Sequence, residues 1–111
     1  MIELGHTLLD DMQNRLLDDF LEMIILRELR DGPLGCRDLV SRIHNKHDQQ
    51  LSSGKTYSRL YSLEREGMIQ SKLNSNKRVF MLTELGRETI RETADEKNRI
   101  LGYVLSLIEG E

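Results

Sequence analysis

Apolar residues in the first third of the chain recur at spacings of three and four, as they do along one face of a helix. The stripe comprises Leu9, Met12, Leu16, Phe20, Met23 and Leu26, and it is widened by Leu8, Leu17, Leu21, Ile24 and Ile25. It predicts one long helix, or two helices joined near residues 17–19. The segment Asp31-Gly32-Pro33-Leu34-Gly35 then predicts a helix stop and a turn.

The middle of the chain predicts two further helices. Leu39, Val40 and Ile43 have helical spacing within residues 37–44, and the polar residues 45–52 predict a loop. A second helix should span residues 53–66. Ser52 or Ser53 can cap its first turn, and Gly67 stands where a left-handed residue would end it.

Two short apolar runs, residues 68–73 and 78–82, flank the polar segment Asn74-Ser75-Asn76-Lys77 and predict a β-hairpin. Thr83 can cap a final helix running from about Glu84 to Ile108. Its seam has heptad spacing with one polar break, at positions Ile90, Ala94, Lys97, Leu101, Val104 and Ile108.

The order helix, helix, turn, helix, hairpin, long helix is that of a winged helix-turn-helix. We therefore predict a mainly α fold with a small β-hairpin (α+β). Residues 1–82 would form the DNA-binding domain with an N-terminal helical extension, and residues 83–111 a dimerisation helix. The terminal helices carry more apolar surface than one small core needs, which favours a two-fold homodimer. The predicted interface consists of Leu9, Met12, Leu16, Ile90, Ala94, Leu101, Val104 and Ile108.

Charge is unevenly distributed along the 111 residues. The whole chain carries −3, but residues 1–36 carry −5, residues 37–82 carry +5 and residues 83–111 carry −3. A polyanion responds to local potential, because charges are screened over about 8 Å at cellular salt. The middle third is therefore the segment expected to face phosphate.

Two groups of residues are the candidates for DNA contact. On the helix of residues 53–66, one face is apolar and the other polar. The polar face would meet a major groove, while Tyr57 and Arg59, which flank the apolar face, could reach backbone phosphates. The candidates on this helix are Ser53, Lys55, Tyr57, Ser58, Arg59, Tyr61, Ser62 and Arg65. The basic hairpin tip, with Lys77 and Arg78, would contact the backbone or the minor groove.

Other features point away from secretion, membranes and catalysis. Cys36 is the single cysteine and cannot form an internal disulfide, and no apolar run is long enough to span a membrane. The N-terminus lacks the pattern of a signal peptide, so a cytoplasmic protein is expected. His44, His47 and Cys36 do not have the spacing of a zinc site, and Gly54-Lys55-Thr56 lacks the upstream glycine of a P-loop. We expect no cofactor, no metal and no enzymatic activity.

Three segments resemble the PadR-like transcriptional regulators. Residues 51–69 are similar to that family's recognition-helix segment, which has a Ser/Gly-containing cap, a Tyr and a Leu-Glu-x-x-Gly-Leu-Ile ending; Met68 stands at the position of that last Leu. Residues 78–87 resemble its second wing strand and Leu-Thr-x-x-Gly motif, and residues 26–29 and 32–35 its first helix and turn. Ser53, Lys55 and Cys36 depart from the family's common residues. The resemblance implies a dimeric regulator, commonly a repressor, that binds a two-fold symmetric operator in double-stranded DNA and in some members is released by a small-molecule effector. The alternative is a winged helix used only for protein–protein contact.

Overall fold

The computed structural model describes residues 3–48 and 51–110, with side-chain burial described from Leu8 onward. In chain order its elements are α1 (Glu3–Asp19), α2 (Leu21–Glu28), a 3-10 helix (Leu29–Asp31), β1 (Leu34–Gly35), α3 (Cys36–His47), α4 (Ser53–Arg65), β2 (Ile69–Asn74), β3 (Lys77–Leu82), α5 (Glu84–Asp95) and α6 (Lys97–Glu109). The mainly helical winged-helix prediction is confirmed.

The N-terminal apolar stripe forms two helices that meet at Phe20. This residue leaves helical geometry, with φ −99° and ψ 7°. Backbone bonds nevertheless continue across the junction, from Phe20 N–H to Leu16 O and from Ile24 N–H to Phe20 O, both at 2.9 Å. The junction is therefore a bend in a nearly continuous hydrogen-bond ladder. Of the two arrangements left open by the sequence, the two-helix one is observed.

A third strand joins the predicted hairpin. Leu34 and Gly35, which the sequence assigns to a turn, form β1 and pair antiparallel with Phe80 and Val79 of β3, so the strand order is β1-β3-β2. A Cβ on Gly35 would lie 3.4 Å from the Arg78 carbonyl oxygen. This strand brings the beginning of α3 beside the hairpin.

The hairpin has the short turn typical of twisted antiparallel strands. Asn74 pairs with Lys77, which leaves Ser75 and Asn76 as the two turn residues. Both have positive φ, 52° and 69°, as a type I′ turn requires. Asn tolerates this left-handed conformation better than most residues, which gives Asn76 a backbone role.

The core is aliphatic and lies where α2, α3 and α4 meet the sheet. Fully buried side chains include Leu21, Ile25, Leu39, Ile43, Leu60, Leu63, Ile69 and Phe80. Phe80 projects from β3 into this cluster and is the one fully buried aromatic side chain among the described residues. Aliphatic side chains supply nearly all of the remaining packing.

The predicted single C-terminal helix is wrong: α5 and α6 are separated at Glu96, with φ −96° and ψ 7°. The heptad seam is consequently divided between two helices. Within the described part of the chain, α6 has no buried residue. The Cα radius of gyration is 16.0 Å, against about 13 Å for a compact domain of this length. The excess is consistent with an exposed C-terminal helix.

Across residues 3–48 and 51–110, every helix is too short or too polar to cross a lipid bilayer.

Candidate nucleic-acid interface

Helix α4 separates its apolar and polar residues as the sequence predicts. Thr56, Leu60 and Leu63 are almost completely buried, because residues three and four apart share one side of a helix. Ser58, Tyr61 and Arg65 are exposed on the far side. The helix can therefore present a polar face outward without disturbing the core.

The ends of α4 are fixed by local chemistry. The Ser52 hydroxyl accepts a hydrogen bond from the Lys55 backbone N–H at 3.0 Å, so Ser52 is the N-cap of the two candidates. Gly67 adopts φ +82° just beyond the helix, and the Met68 N–H donates to the Leu63 carbonyl at 3.0 Å. This left-handed ending, which the sequence predicts, turns the chain directly into β2.

One edge of α4 is held against α1 and α2 by ion pairs. Lys55 Nζ and Arg59 Nη2 both contact Asp18 Oδ1, at 2.9 and 3.2 Å, and Arg59 Nη1 lies 3.9 Å from Glu22 Oε2. The hydrogen bond from Lys55 holds the pKa of the Asp18 carboxyl below its usual value, although desolvation opposes the shift. Two of the predicted DNA-contacting cations are thus already paired within the protomer.

The opposite edge of α4 is connected to the hairpin. Arg78 Nη1 donates to the Ser71 hydroxyl at 2.9 Å, and that hydroxyl donates to Glu64 Oε2 at 2.7 Å. The relay joins both strands of the wing to the helix, so the wing is positioned relative to α4. Sequence reasoning missed the roles of Ser71 and Glu64. The Leu-Glu-x-x-Gly motif contains Glu64, but nothing in the sequence indicates that its carboxylate meets Ser71, seven residues later on the next element.

Two tyrosines lie on the outer side of α4. The rings of Tyr57 and Tyr61 stack with their centroids 5.9 Å apart and their planes inclined by 20°. Both rings are partly exposed. Their phenolic hydroxyls can donate hydrogen bonds, and their faces can contact an apolar group such as a thymine methyl.

A groove of about 400 Å³ separates the wing tip from the beginnings of α3 and α4. It is lined by Gly35, Cys36, Arg37, Asp38, Ser53, Tyr57, Asn76, Lys77 and Arg78. Three cations and one carboxylate line it, so its formal charge is +2 at neutral pH. The groove unites Ser53, Tyr57, Lys77 and Arg78, which the sequence singles out, and adds Arg37, which it does not.

The basic residues of the middle segment fall into two groups. Lys55 and Arg59 pair with Asp18, while Lys46 and Arg42 pair with Glu28 at 2.6 and 3.8 Å. In the part of the chain that the structure describes, the others make no ion pair. They are Arg37, Arg65, Lys72, Lys77 and Arg78. The unpaired positive charge therefore lies mostly in the groove and on the wing.

The predicted interface residues have different environments. Leu9, Met12, Leu16, Leu101 and Ile108 expose apolar side chains, Ala94 is exposed and Val104 is half-buried. Ile90, in contrast, is 8% exposed and belongs to the protomer's own core. The assignment of Ile90 to the dimer interface therefore has to be corrected, because α5 turns this residue inward. The other seven stay a prediction.

An apolar groove of about 450 Å³ lies between α2 and the α5–α6 pair. Phe20, Met23, Ile100 and Leu101 form part of its wall, and the basic residues Arg27, Arg30 and Lys97 also line it.

Cys36 is buried, and this burial raises the pKa of its thiol. Among residues 3–48 and 51–110, no three His, Cys, Asp or Glu side chains are arranged to hold a metal ion.

Comparison with solved structures gives the fold a name. A PadR-family transcriptional regulator from Eggerthella lenta DSM 2243 aligns over 97% of this chain and 98% of its own, with 20% identity and a TM-score of 0.75. A transcriptional regulator from Clostridium thermocellum aligns over 83% and 93%, with 19% identity and a TM-score of 0.74. The chain therefore has the PadR-like winged-helix fold.

A structure of Bacillus subtilis PadR in complex with operator DNA aligns over 65% of this chain and 45% of its own, with 23% identity and a TM-score of 0.55. No protein-family model matches the chain, and no curated protein matches it in sequence. The likeness is thus one of fold, carried by structures of transcriptional regulators.

Proposed function

We propose that the chain is a PadR-like, sequence-specific DNA-binding regulator of transcription that acts as a homodimer in the cytoplasm, and that it is a repressor without enzymatic activity. Helix α4 would enter a major groove, and the β2–β3 wing would contact the backbone or the minor groove. The observation that carries the proposal is the basic groove between α4 and the wing, where Arg37, Lys77 and Arg78 face one opening.

Phosphate is the ligand that this groove fits best. Arg37 and Lys77 are exposed and make no ion pair within the described residues, so binding an anion would not require breaking one. Ser53 and Tyr57 add hydroxyl donors on the helix side. Base reading would fall to Ser58, Tyr61, Ser62 and Arg65, which lie along the outer side of α4.

The dimer is supported by apolar surface that the protomer leaves exposed. Leu9, Leu16, Leu101 and Ile108 are about half to two-thirds exposed, and they lie on α1 and α6. Apolar surface concentrated on two helices is typical of an interface that another chain covers. A two-fold arrangement would place two α4 helices on two half-sites of a symmetric operator.

We place the effector site, which the family resemblance implies for some members, in the apolar groove between α2 and α5–α6. A groove of about 450 Å³ is in the size range of small-molecule sites. Arg27, Arg30 and Lys97 would favour an acidic ligand.

The test measures binding of a fluorescent random-sequence 30-base-pair duplex across a salt series. We expect wild-type affinity to fall linearly with salt on logarithmic axes. Arg37→Ala/Lys77→Ala should weaken binding and reduce the slope by about 0.9 for each lost phosphate contact. Arg87→Ala/Arg91→Ala removes the same charge from α5 and is the matched control. A wild-type protein that binds no duplex at low salt would favour the protein-contact alternative, and a groove variant that behaves like the control would show that the groove does not bind DNA.

A further inference from the structure

We propose that Asp18 acts as an intramolecular competitor of DNA phosphate, holding Lys55 and Arg59 at the edge of α4 and thereby lowering the protein's affinity for DNA. The inference rests on the proposed DNA-binding function and assigns a regulatory contact to it.

The geometry places both cations on a single carboxylate oxygen. Lys55 Nζ is 2.9 Å and Arg59 Nη2 is 3.2 Å from Asp18 Oδ1. The two cations are four residues apart on α4, so they lie one turn from each other on the same side of the helix. That side faces the end of α1. The second carboxylate, on Glu22, lies 3.9 Å from Arg59.

Lys55 and Arg59 contribute two positive charges from α4, and the carboxylates of Asp18 and Glu22 bring the formal charge of the cluster to zero. Lysine and arginine would offer phosphate the same N–H donors that Asp18 now accepts from. A phosphate that takes Lys55 or Arg59 must therefore displace Asp18. The pairs are partly exposed, so displacement is achievable at modest cost.

The competitor belongs to a helix that we propose for dimerisation. Asp18 is in the last turn of α1, two residues before the bend at Phe20, and α1 carries the exposed Leu9 and Leu16 upstream. Moving α1 relative to α2 would separate the carboxylate from both cations. The contact thus makes DNA affinity depend on the position of α1.

The neighbouring carboxylate provides a matched control. Asp19 is exposed, is adjacent in sequence and makes no ion pair or side-chain hydrogen bond in the part of the chain that the structure describes. Asp18→Asn and Asp19→Asn remove the same charge from almost the same place. Any difference between them reports the contact with Lys55 and Arg59, whereas a general change in net charge affects both equally.

The experiment titrates the same random-sequence 30-base-pair duplex with five proteins, each first shown to be folded by its thermal melt. They are wild type, Asp18→Asn, Asp19→Asn, Lys55→Gln/Arg59→Gln and the triple variant Asp18→Asn/Lys55→Gln/Arg59→Gln. We expect Asp18→Asn to bind roughly three- to tenfold more tightly than Asp19→Asn at about 0.1 M salt. Its salt slope should be steeper by up to about 1.8 for each chain on the DNA, the value for two added phosphate contacts. In the Lys55→Gln/Arg59→Gln background, Asp18→Asn should bring no gain.

Each other outcome has a defined meaning. Equal affinities for Asp18→Asn and Asp19→Asn, or weaker binding by Asp18→Asn, would overturn the competitor role of Asp18. As long as wild type binds the duplex, the proposed DNA-binding function would still stand. A gain that persists without Lys55 and Arg59 would also overturn it. If no variant binds duplex DNA at any salt, the proposed function and this inference fail together.

Discussion

Gly86, in the first turn of α5, packs directly against the backbone carbonyl of Met68. A Cβ at Gly86 would overlap that oxygen and lie 2.9 Å from the Leu82 Cδ2 atom. The Thr83 N–H donates to the same Met68 carbonyl at 3.0 Å, so the approach is fixed by a hydrogen bond. The contact joins the beginning of α5 to the beginning of β2.

We expect Gly86→Ala to lower the free energy of unfolding by about 1 to 3 kcal/mol, because a backbone atom cannot move aside as a flexible side chain can. Gly54→Ala is the control, since a Cβ added at Gly54 would meet no atom within 4 Å and alanine favours a helix. Urea unfolding of both variants separates the steric overlap expected at position 86 from the change in helix propensity expected at position 54. Equal stability of the two variants would contradict the packing described.

Glu28 has the most buried carboxylate among the ion pairs of the described residues, whereas its partner Lys46 is 63% exposed. The Glu28 side chain is 7% exposed and accepts a hydrogen bond from Lys46 at 2.6 Å. Lys46→Gln removes the nearer cation and leaves the desolvated carboxylate with Arg42 alone, 3.8 Å away, so we expect a loss of about 1 to 3 kcal/mol in the free energy of unfolding. Lys72→Gln, on an exposed strand position, should change it by less than about 0.5 kcal/mol. Denaturant titration checks this difference, and a harmless Lys46→Gln would refute it.

The pairing of Asp18 predicts a pH dependence of stability. Lys55 lowers the folded-state pKa of Asp18 below its ordinary 3.8, so the folded protein favours the ionised carboxyl. The stability that the ionised Asp18 adds to the folded state is fully present above the unfolded-state pKa. It is lost as the pH falls through 3.8 and then through the folded-state pKa. Thermal melts from pH 6 to pH 3 should therefore show a steeper loss for wild type than for Asp18→Asn. Parallel curves would be inconsistent with the ion pair.

Dimerisation through α6 can be tested by mass. Leu101 and Ile108 are more than half exposed and lie seven residues apart, on the same side of the helix. We expect wild type to have twice the chain mass by light scattering at micromolar concentration, and Leu101→Glu/Ile108→Glu to have the chain mass. Leu73→Glu changes an equally exposed wing residue and should leave the dimer intact. A monomeric wild type would refute the dimer.

Much of the fold follows from local pattern. Three features depend only on residues within one or two helical turns: the buried face of α4, the Thr83 cap and the left-handed Gly67. At the Thr83 cap, the Gly86 N–H donates to the Thr83 hydroxyl at 3.2 Å. Strand β1 does not, because Leu34 and Gly35 become a strand only by pairing with β3, more than forty residues later.

In the candidate site, too, some features follow from neighbouring residues and others from contacts between residues far apart in sequence. The polar face of α4 can be read from a helical wheel, whereas the Asp18–Arg59 contact joins residues 41 apart in sequence. Arg37 enters the groove only because β1 places the beginning of α3 beside the wing. Apolar spacing also predicts a single C-terminal helix, because the heptad spacing continues past the bend at Glu96 and only the polar residue Lys97 interrupts it there.

In the proposed function, a dimer of this chain reads a symmetric DNA site through α4 and the wing. The decisive experiment selects tight binders from a random-sequence duplex library and then determines the mass of the resulting complex. We expect enriched sites with two-fold symmetry, half-sites about 10 base pairs or a multiple of that apart, and two chains per site. A library that shows no enrichment over several rounds, or a complex with one chain on an asymmetric site, would rule out symmetric DNA reading by a dimer.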